Sequence, residues 1–190
     1  MYKLAIPSLL TLGLLATFST QAHADGWKLL PVLADDYVAD IAVAGVVGVQ
    51  HVVDNDDGQA LAYGAELSLN CPLLRPANHT IRQRLSITNH EKDNLSLLAI
   101  ELNPHHMFEV IDALSLGAGP SVGLTVVGVG DESDVVFTYG LGGSARYDIN
   151  ANIFVGAEVR FAWTTEADFG LGAGTDVNNG RVLAKIGYQL

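Results

Sequence analysis

Cysteine is almost absent: Cys71 stands alone in the sequence, so no intramolecular disulfide can staple the chain. Cations are scarce. Ten Lys and Arg face 21 Asp and Glu, for a formal net charge of −11, which excludes a general nucleic-acid surface, because that needs a basic footprint. Beyond the first two dozen residues there is no long apolar run, so nothing there reads as a membrane-spanning helix, which takes about 20 apolar residues. Charge of either sign is thin, at 16% of residues, yet 49% are hydrophobic. A chain this greasy without a long greasy run must distribute its apolar side chains another way.

Residues 1–24 have the make-up of a secretory signal peptide. Lys3 supplies the positive start, Leu4 to Phe18 the apolar stretch, and Ala22-His23-Ala24 an A-x-A cleavage site. Cleavage there leaves a chain starting at Asp25 and, by removing Lys3, moves the net charge from −11 to −12. No cysteine follows the apolar stretch, which argues against a lipoprotein. Export without a helical span leaves a periplasmic or secreted protein, or an outer-membrane barrel.

The distribution that replaces long runs is alternation. Leu114, Leu116, Ala118, Pro120, Val122, Leu124 and Val126 are apolar, and only Gly, Ser and Thr stand between them. A period of two puts the two sets on opposite faces of a strand. Small residues on the non-greasy face suit the crowded inside of a narrow barrel, and the greasy face then meets lipid.

Eight such strands can be counted. The first four run at about 37–52, 59–73, 80–89 and 96–108, the fifth begins at Leu114, and the last three are centred on Val135–Tyr147, Ile153–Trp163 and Arg181–Leu190. Pro104 in the fourth cannot donate to a ladder, so a bulge or ladder end is expected there. Parity chosen from the apolar residues alone sends Asp40, Glu66, Arg82, Arg84, Glu101, Arg146, Glu158, Arg160 and Lys185 to the other face. The eighth strand also sends Arg181 and Gln189 inward. Gln83 and His106 are the main polar residues left outside, and alternation places Cys71 outside as a small apolar group. Arg or Lys on a lipid face at mid-depth costs about 2–4 kcal/mol, so a bilayer enforces this segregation. A soluble barrel would show the reverse.

These readings predict an all-β fold, an eight-stranded antiparallel up-and-down transmembrane β-barrel over residues 37–190. Residues 25–36 precede it on the periplasmic side as a tail, a short plug or an extra strand. Turns after the second, fourth and sixth strands are expected to be short and periplasmic. Tyr37, Tyr63, Phe108, Tyr139, Tyr147, Trp163 and Tyr188 suggest interface girdles.

The nine inward ionisable residues are expected to pair with one another and fill the lumen, because buried charges must be paired and hydrogen-bonded. The outer connections are acidic: Asp54, Asp56 and Asp57 in the first, Glu91 and Asp93 in the second, Asp131, Glu132 and Asp134 in the third, and Glu166, Asp168 and Asp176 in the fourth. Such carboxylates keep loops solvated. They also attract hard divalent cations, with a bridge to lipopolysaccharide phosphates as the alternative reading. No metal ligand set and no cofactor follow from these spacings. His105-His106 lies near the periplasmic end, while His51 and His90, near the outer rim, have no evident serine partner.

The pattern resembles the small outer-membrane β-barrel family, the OmpA/OmpX-like eight-stranded proteins, on Leu114–Pro120, Gly140–Asp148, Ile153–Phe161 and the terminal Tyr188-Gln189-Leu190. Family members commonly end in Phe, where this chain ends in Leu190. The resemblance implies contact with outer-membrane lipid and lipopolysaccharide, and handling by periplasmic chaperones and the barrel-assembly machinery. It leaves function open, because fold alone does not set it. A resemblance to lipid A deacylases would call for a His-x-Ser pair, which is absent from the sequence. The expected function is a non-enzymatic barrel in envelope structure or surface contact; the alternatives are a lipid-modifying enzyme and a narrow pore.

Overall fold

The structure, a computed structural model, describes residues 26–53, 59–76, 80–167 and 176–190. The signal sequence, Asp54, Asp56, Asp57 and Asp168 lie outside the described residues. The strands are β1 (Lys28–Leu29), β2 (Ala42–Val52), β3 (Gln59–Asn70), β4 (Leu74–Arg75), β5 (Thr80–Lys92), β6 (Leu95–Ile111), β7 (Leu114–Val129), β8 (Glu132–Asp148), β9 (Ile153–Thr164) and β10 (Asn179–Gln189), with a short 3₁₀ turn at Pro31–Leu33. Eight of them close a barrel in the order β10-β2-β3-β5-β6-β7-β8-β9, and β1 pairs separately with β4.

All neighbours are antiparallel. The closing seam runs without a break from Asn179↔Val52 to Gln189↔Ala42. Barrel strands of 11 to 17 residues meet or exceed the roughly 9–11 needed to cross a bilayer. Alternation along them is nearly strict. On β7, for example, Gly117, Ser121 and Thr125 are buried while Leu116, Val122 and Leu124 are exposed. Exposed large hydrophobics cover the outer wall, whereas Arg, Glu and Lys are buried within.

Two distal hairpins are tighter than expected. β5 continues through His90, Glu91 and Lys92, so only Asp93 and Asn94 connect it to β6. His90 therefore points inward and is buried, not part of a loop. Glu132 and Asp134 likewise belong to β8, leaving Gly130-Asp131 as the turn. Asp93 (φ 51°) and Gly130 (φ 61°) supply the left-handed backbone such two-residue turns need. The connection after β3, expected to be short, instead carries β4 and extends to Thr80.

Pro104 neither ends its strand nor makes a bulge. Its pairing with β5 is intact at Gln83↔Pro104. Pairing with β7 lapses between Leu102↔Val122 and His106↔Ala118, the stretch containing Pro104 and Pro120, neither of which has an N–H to donate. The bulge lies further on, between Glu109 and Ile111. Cys71 is a second correction. It lies just past β3 and is 5% exposed, not lipid-facing. The chain before β2 packs over it: Tyr37 Oη donates to Asn70 O (2.7 Å), and Asn70 N to Ala39 O (2.7 Å).

Candidate functional site

The site is the barrel interior, and it has three levels. At mid-height three carboxylates face four cations. Lys185 Nζ lies 2.7 Å from Glu66 Oε2 and 3.0 Å from Glu158 Oε2. Arg84 lies 3.5 Å from Glu158 and 3.9 Å from Glu66. Arg160 lies 3.1 Å from Glu101 and also pairs with Glu158. Arg181 donates to Glu101 and, at 3.3 Å, to Thr88 Oγ1. All seven charged side chains are buried, Arg160 to 1% exposure. The formal balance is +1 at the centre of a strongly acidic protein. In a medium of low dielectric this pairing is what allows so many charges to be buried.

Strand geometry explains why these residues meet. Each stands on the inward parity of its own strand, so all project toward one axis. Small neighbours leave them room: a Cβ on Gly123 would stand 2.8 Å from Glu101 Cγ, and one on Gly156 3.0 Å from Lys185 Cγ.

The basal level lies where β2 begins and β10 finishes. Arg82 Nη1 donates to Asp40 Oδ2 at 2.5 Å. Arg146 donates to Asp148 Oδ1 at 2.8 Å and stacks over Phe154, its guanidinium 3.9 Å from the ring centroid. Both arginines also donate to Gln189 Oε1 (3.3 and 3.0 Å). Asp40, Arg82, Glu109, Asp112, Arg146 and Asp148 are among the residues lining a vestibule of about 850 Å³ at this end.

The distal level is apolar. Val52, Leu97, Val127, Val136, Ala167 and Val177 form one buried cluster across that end, with Leu95 packed against it. Ala167 and Val177 come from the connection between β9 and β10. Thr164 Oγ1 accepts from Val177 N at 3.0 Å, and Asn178 Oδ1 from Thr164 N at 2.9 Å. Below the cluster, Thr125 and Thr138 share a hydrogen bond of 2.7 Å.

All nine residues expected inside are thus in the interior or at its basal mouth, in two groups: Asp40, Arg82 and Arg146 at the mouth, the other six deeper. Sequence reasoning left out Arg181, which it placed inward but not among the pairs, and Asp148, which closes a strand. Parity is least informative within a residue or two of a strand end. It also missed the apolar closure, made by Val52, Leu97, Val127 and Val136 near strand ends and by Ala167 and Val177 from the β9–β10 connection. A further pair is Ser144 and His105, Oγ to Nδ1 2.9 Å apart and both buried. No His-x-Ser pattern signals it, because the residues are 39 positions apart. Gln83 and His106 face outward as expected and are half-buried, His106 standing edge-on to Phe108 at 4.4 Å. Among the described residues, no group of three or more His, Cys, Asp or Glu is placed to hold a metal ion.

Outside the barrel, Asp36 accepts from Lys28 (2.9 Å) and Arg75 (3.1 Å). The hydrogen bond and charge of Lys28, with Arg75 behind it, hold its carboxyl below the usual carboxylate range.

A closed eight-stranded barrel, apolar outside and charged within, defines the class: a small transmembrane β-barrel of the bacterial outer-membrane type. Bacterial proteins of that class are among the solved structures similar to this chain. Neisserial surface protein A superposes with a TM-score of 0.55 at 14% identity, covering 79% of this chain and 97% of its own. Ail, the attachment invasion locus protein of Yersinia pestis, crystallised with the heparin analogue sucrose octasulfate, superposes with a TM-score of 0.51 at 14% identity, covering 81% of this chain and 100% of its own. No protein-family model matches the chain, and no curated protein sequence matches it.

Proposed function

We propose that the protein is a non-enzymatic barrel of the bacterial outer membrane, acting in envelope structure or in contact with lipid and the cell exterior, with an interior that is a core and not a path. The observation that carries this reading is the pairing of Glu66, Glu101 and Glu158 with Arg84, Arg160, Arg181 and Lys185, stacked beneath the apolar closure around Leu97 and Val127. An ion crossing would have to break the pairs and then pass side chains that cannot solvate it. Ala42 and Gln189, the two ends of the barrel, both lie at the basal end, which we read as periplasmic, as in bacterial single-chain barrels, with the distal end facing out.

The Ser144–His105 pair has hydrogen-bond reach but no substrate access. Both side chains sit inside the wall, and an acyl chain in the membrane meets the opposite face of the same strands. Nor does the likeness to Ail bring a polyanion here. At the distal end Glu91, Asp93, Asp131, Glu132, Asp134, Glu166 and Asp176 outnumber Lys92, and like charge repels a sulfated ligand. We read these carboxylates as solvating the turns; a divalent bridge to lipopolysaccharide is the competing reading.

Two measurements test the proposal together. Reconstitution in planar bilayers is expected to give no unitary conductance, and lipid A from cells with and without the protein is expected to have the same mass spectrum. Discrete conductance steps would restore the pore, and altered acylation would restore the enzyme.

A further inference from the structure

The segment before the barrel is neither a free tail nor a plug. β1 pairs with β4 at Lys28↔Arg75 and Leu29↔Leu74. Leu30 N donates to Leu73 O at 2.8 Å, although Leu30 must adopt φ 49° to do so, a conformation that bulky residues rarely take. The strap so formed crosses the outward side of the barrel's basal rim. Asp36, Tyr37, Val38, Cys71, Leu74 and Ile81 are among the residues lining the cleft between strap and wall.

The strap turns an apolar surface away from the barrel. Trp27 (48% exposed), Leu29, Leu30, Val32, Leu33 (79%) and Leu73 are uncovered, although they lie outside the barrel strands. Six large apolar side chains in one small module exceed the scattered single residues that soluble surfaces tolerate. The polar groups of the module are drawn together, Lys28 and Arg75 both bonded to Asp36. Trp beside Lys and Arg, with aliphatic residues adjoining, is the composition of the membrane boundary. Exposed Val38 and Ile41 lie along the chain between the strap and Val43 on the barrel's outer wall, so apolar side chains continue from one to the other.

We propose that the strap formed by residues 26–36 and 72–75 lies in the phospholipid leaflet at the basal end. Its apolar side chains enter the acyl layer, and the Lys28–Asp36–Arg75 cluster sits at headgroup level. This rests on reading the barrel as membrane-embedded. A phospholipid surface is preferred to a protein partner because the wall it adjoins already faces hydrocarbon.

The two tryptophans make the test. Trp163 lies on the barrel wall and Trp27 on the strap, so W163F and W27F each leave one reporter. The protein is reconstituted into phosphatidylcholine vesicles carrying lipids brominated at shallow or deep acyl positions. The expected result is that shallow bromines quench Trp27 strongly, while aqueous iodide quenches it weakly. Leu29→Asp with Leu33→Asp is expected to reverse that preference in the W163F chain and, introduced into the W27F chain, to leave Trp163 quenching unchanged. Trp27 open to iodide and untouched by bromine, with Trp163 quenched by bromine, overturns the strap proposal alone. Trp27 shielded from both quenchers overturns it in favour of contact with a second copy of the chain. A Trp163 that brominated lipid does not quench overturns the membrane reading, and the strap proposal with it.

Discussion

Lys185 reaches across the interior to Glu66, Nζ 2.7 Å from Oε2, joining β10 to β3 past the intervening β2. The two residues are 119 positions apart in sequence. The same ammonium group lies 3.0 Å from Glu158, so it occupies the gap between two carboxylates that would otherwise repel. Because the mid-level carries one cation more than its carboxylates, loss of an acid and loss of a base should not cost the same.

Glu158→Gln removes a partner of Arg84, Arg160 and Lys185 and raises the buried excess of positive charge. We expect it to destabilise the barrel by about 3–5 kcal/mol, the usual cost of leaving a buried charge unpaired. Lys185→Met leaves three arginines against three carboxylates and should cost less. Reversible urea unfolding in lipid vesicles checks the order; a larger cost for Lys185→Met would contradict the charge count.

Leu97 and Leu98 are adjacent, and the barrel wall separates them. Leu97 is 2% exposed within the distal cluster, Leu98 38% exposed on the outer wall. Leu97→Ala should lose about 2–5 kcal/mol, as for other buried leucines, and Leu98→Ala distinctly less. The same unfolding measurement compares them.

Gly187 faces the ring of Phe154. A Cβ there would stand 2.2 Å from Phe154 Cζ, and the ring cannot withdraw freely because Arg146 covers it at 3.9 Å. Gly187→Ala is expected to destabilise by about 1–3 kcal/mol through overpacking, and Phe154→Leu in the same chain to restore part of the loss.

Asp36 gives a pH dependence with a definite sign. Its carboxyl is lowered by Lys28 and Arg75, so its contribution is complete above the ordinary carboxylate value near pH 4 and is lost as the pH falls through the lower folded-state value. Asp36→Asn should reproduce the acid state at neutral pH. Faster alkylation of Cys71, which the neighbouring chain buries, is the readout; an unchanged rate would mean that the ion pairs do not hold the strap.

The acidic distal turns supply the last test. If the carboxylates act by solvation, adding a chelator to the barrel in lipopolysaccharide bilayers leaves its heat stability unchanged. A fall in melting temperature on chelation would instead favour divalent bridging.

Which side chains face in and which face out was legible residue by residue, because the period of a strand is a local property and lipid punishes a misplaced charge. That reasoning placed Glu66, Arg84, Glu101, Glu158, Arg160 and Lys185 on one face, and it gave the number of barrel strands. It erred where alternation stops carrying information. His90, Glu132 and Asp134 look like loop residues because they are polar, yet cross-strand pairing extends the strands through them. Cys71 has the right parity for lipid, but a segment from elsewhere in the chain covers it.

Sequence by itself therefore determined a barrel with a greasy outside and charged inside. Closure alone decided who pairs with whom: Lys185 with Glu66, Arg181 with Glu101, Ser144 with His105. Those partners lie on different strands, and their meeting depends on the register and curvature of every strand between them. The apolar closure around Leu97 and the strap over Cys71 were decided in the same way. Each buries its residues against distant parts of the chain, and no local period records that.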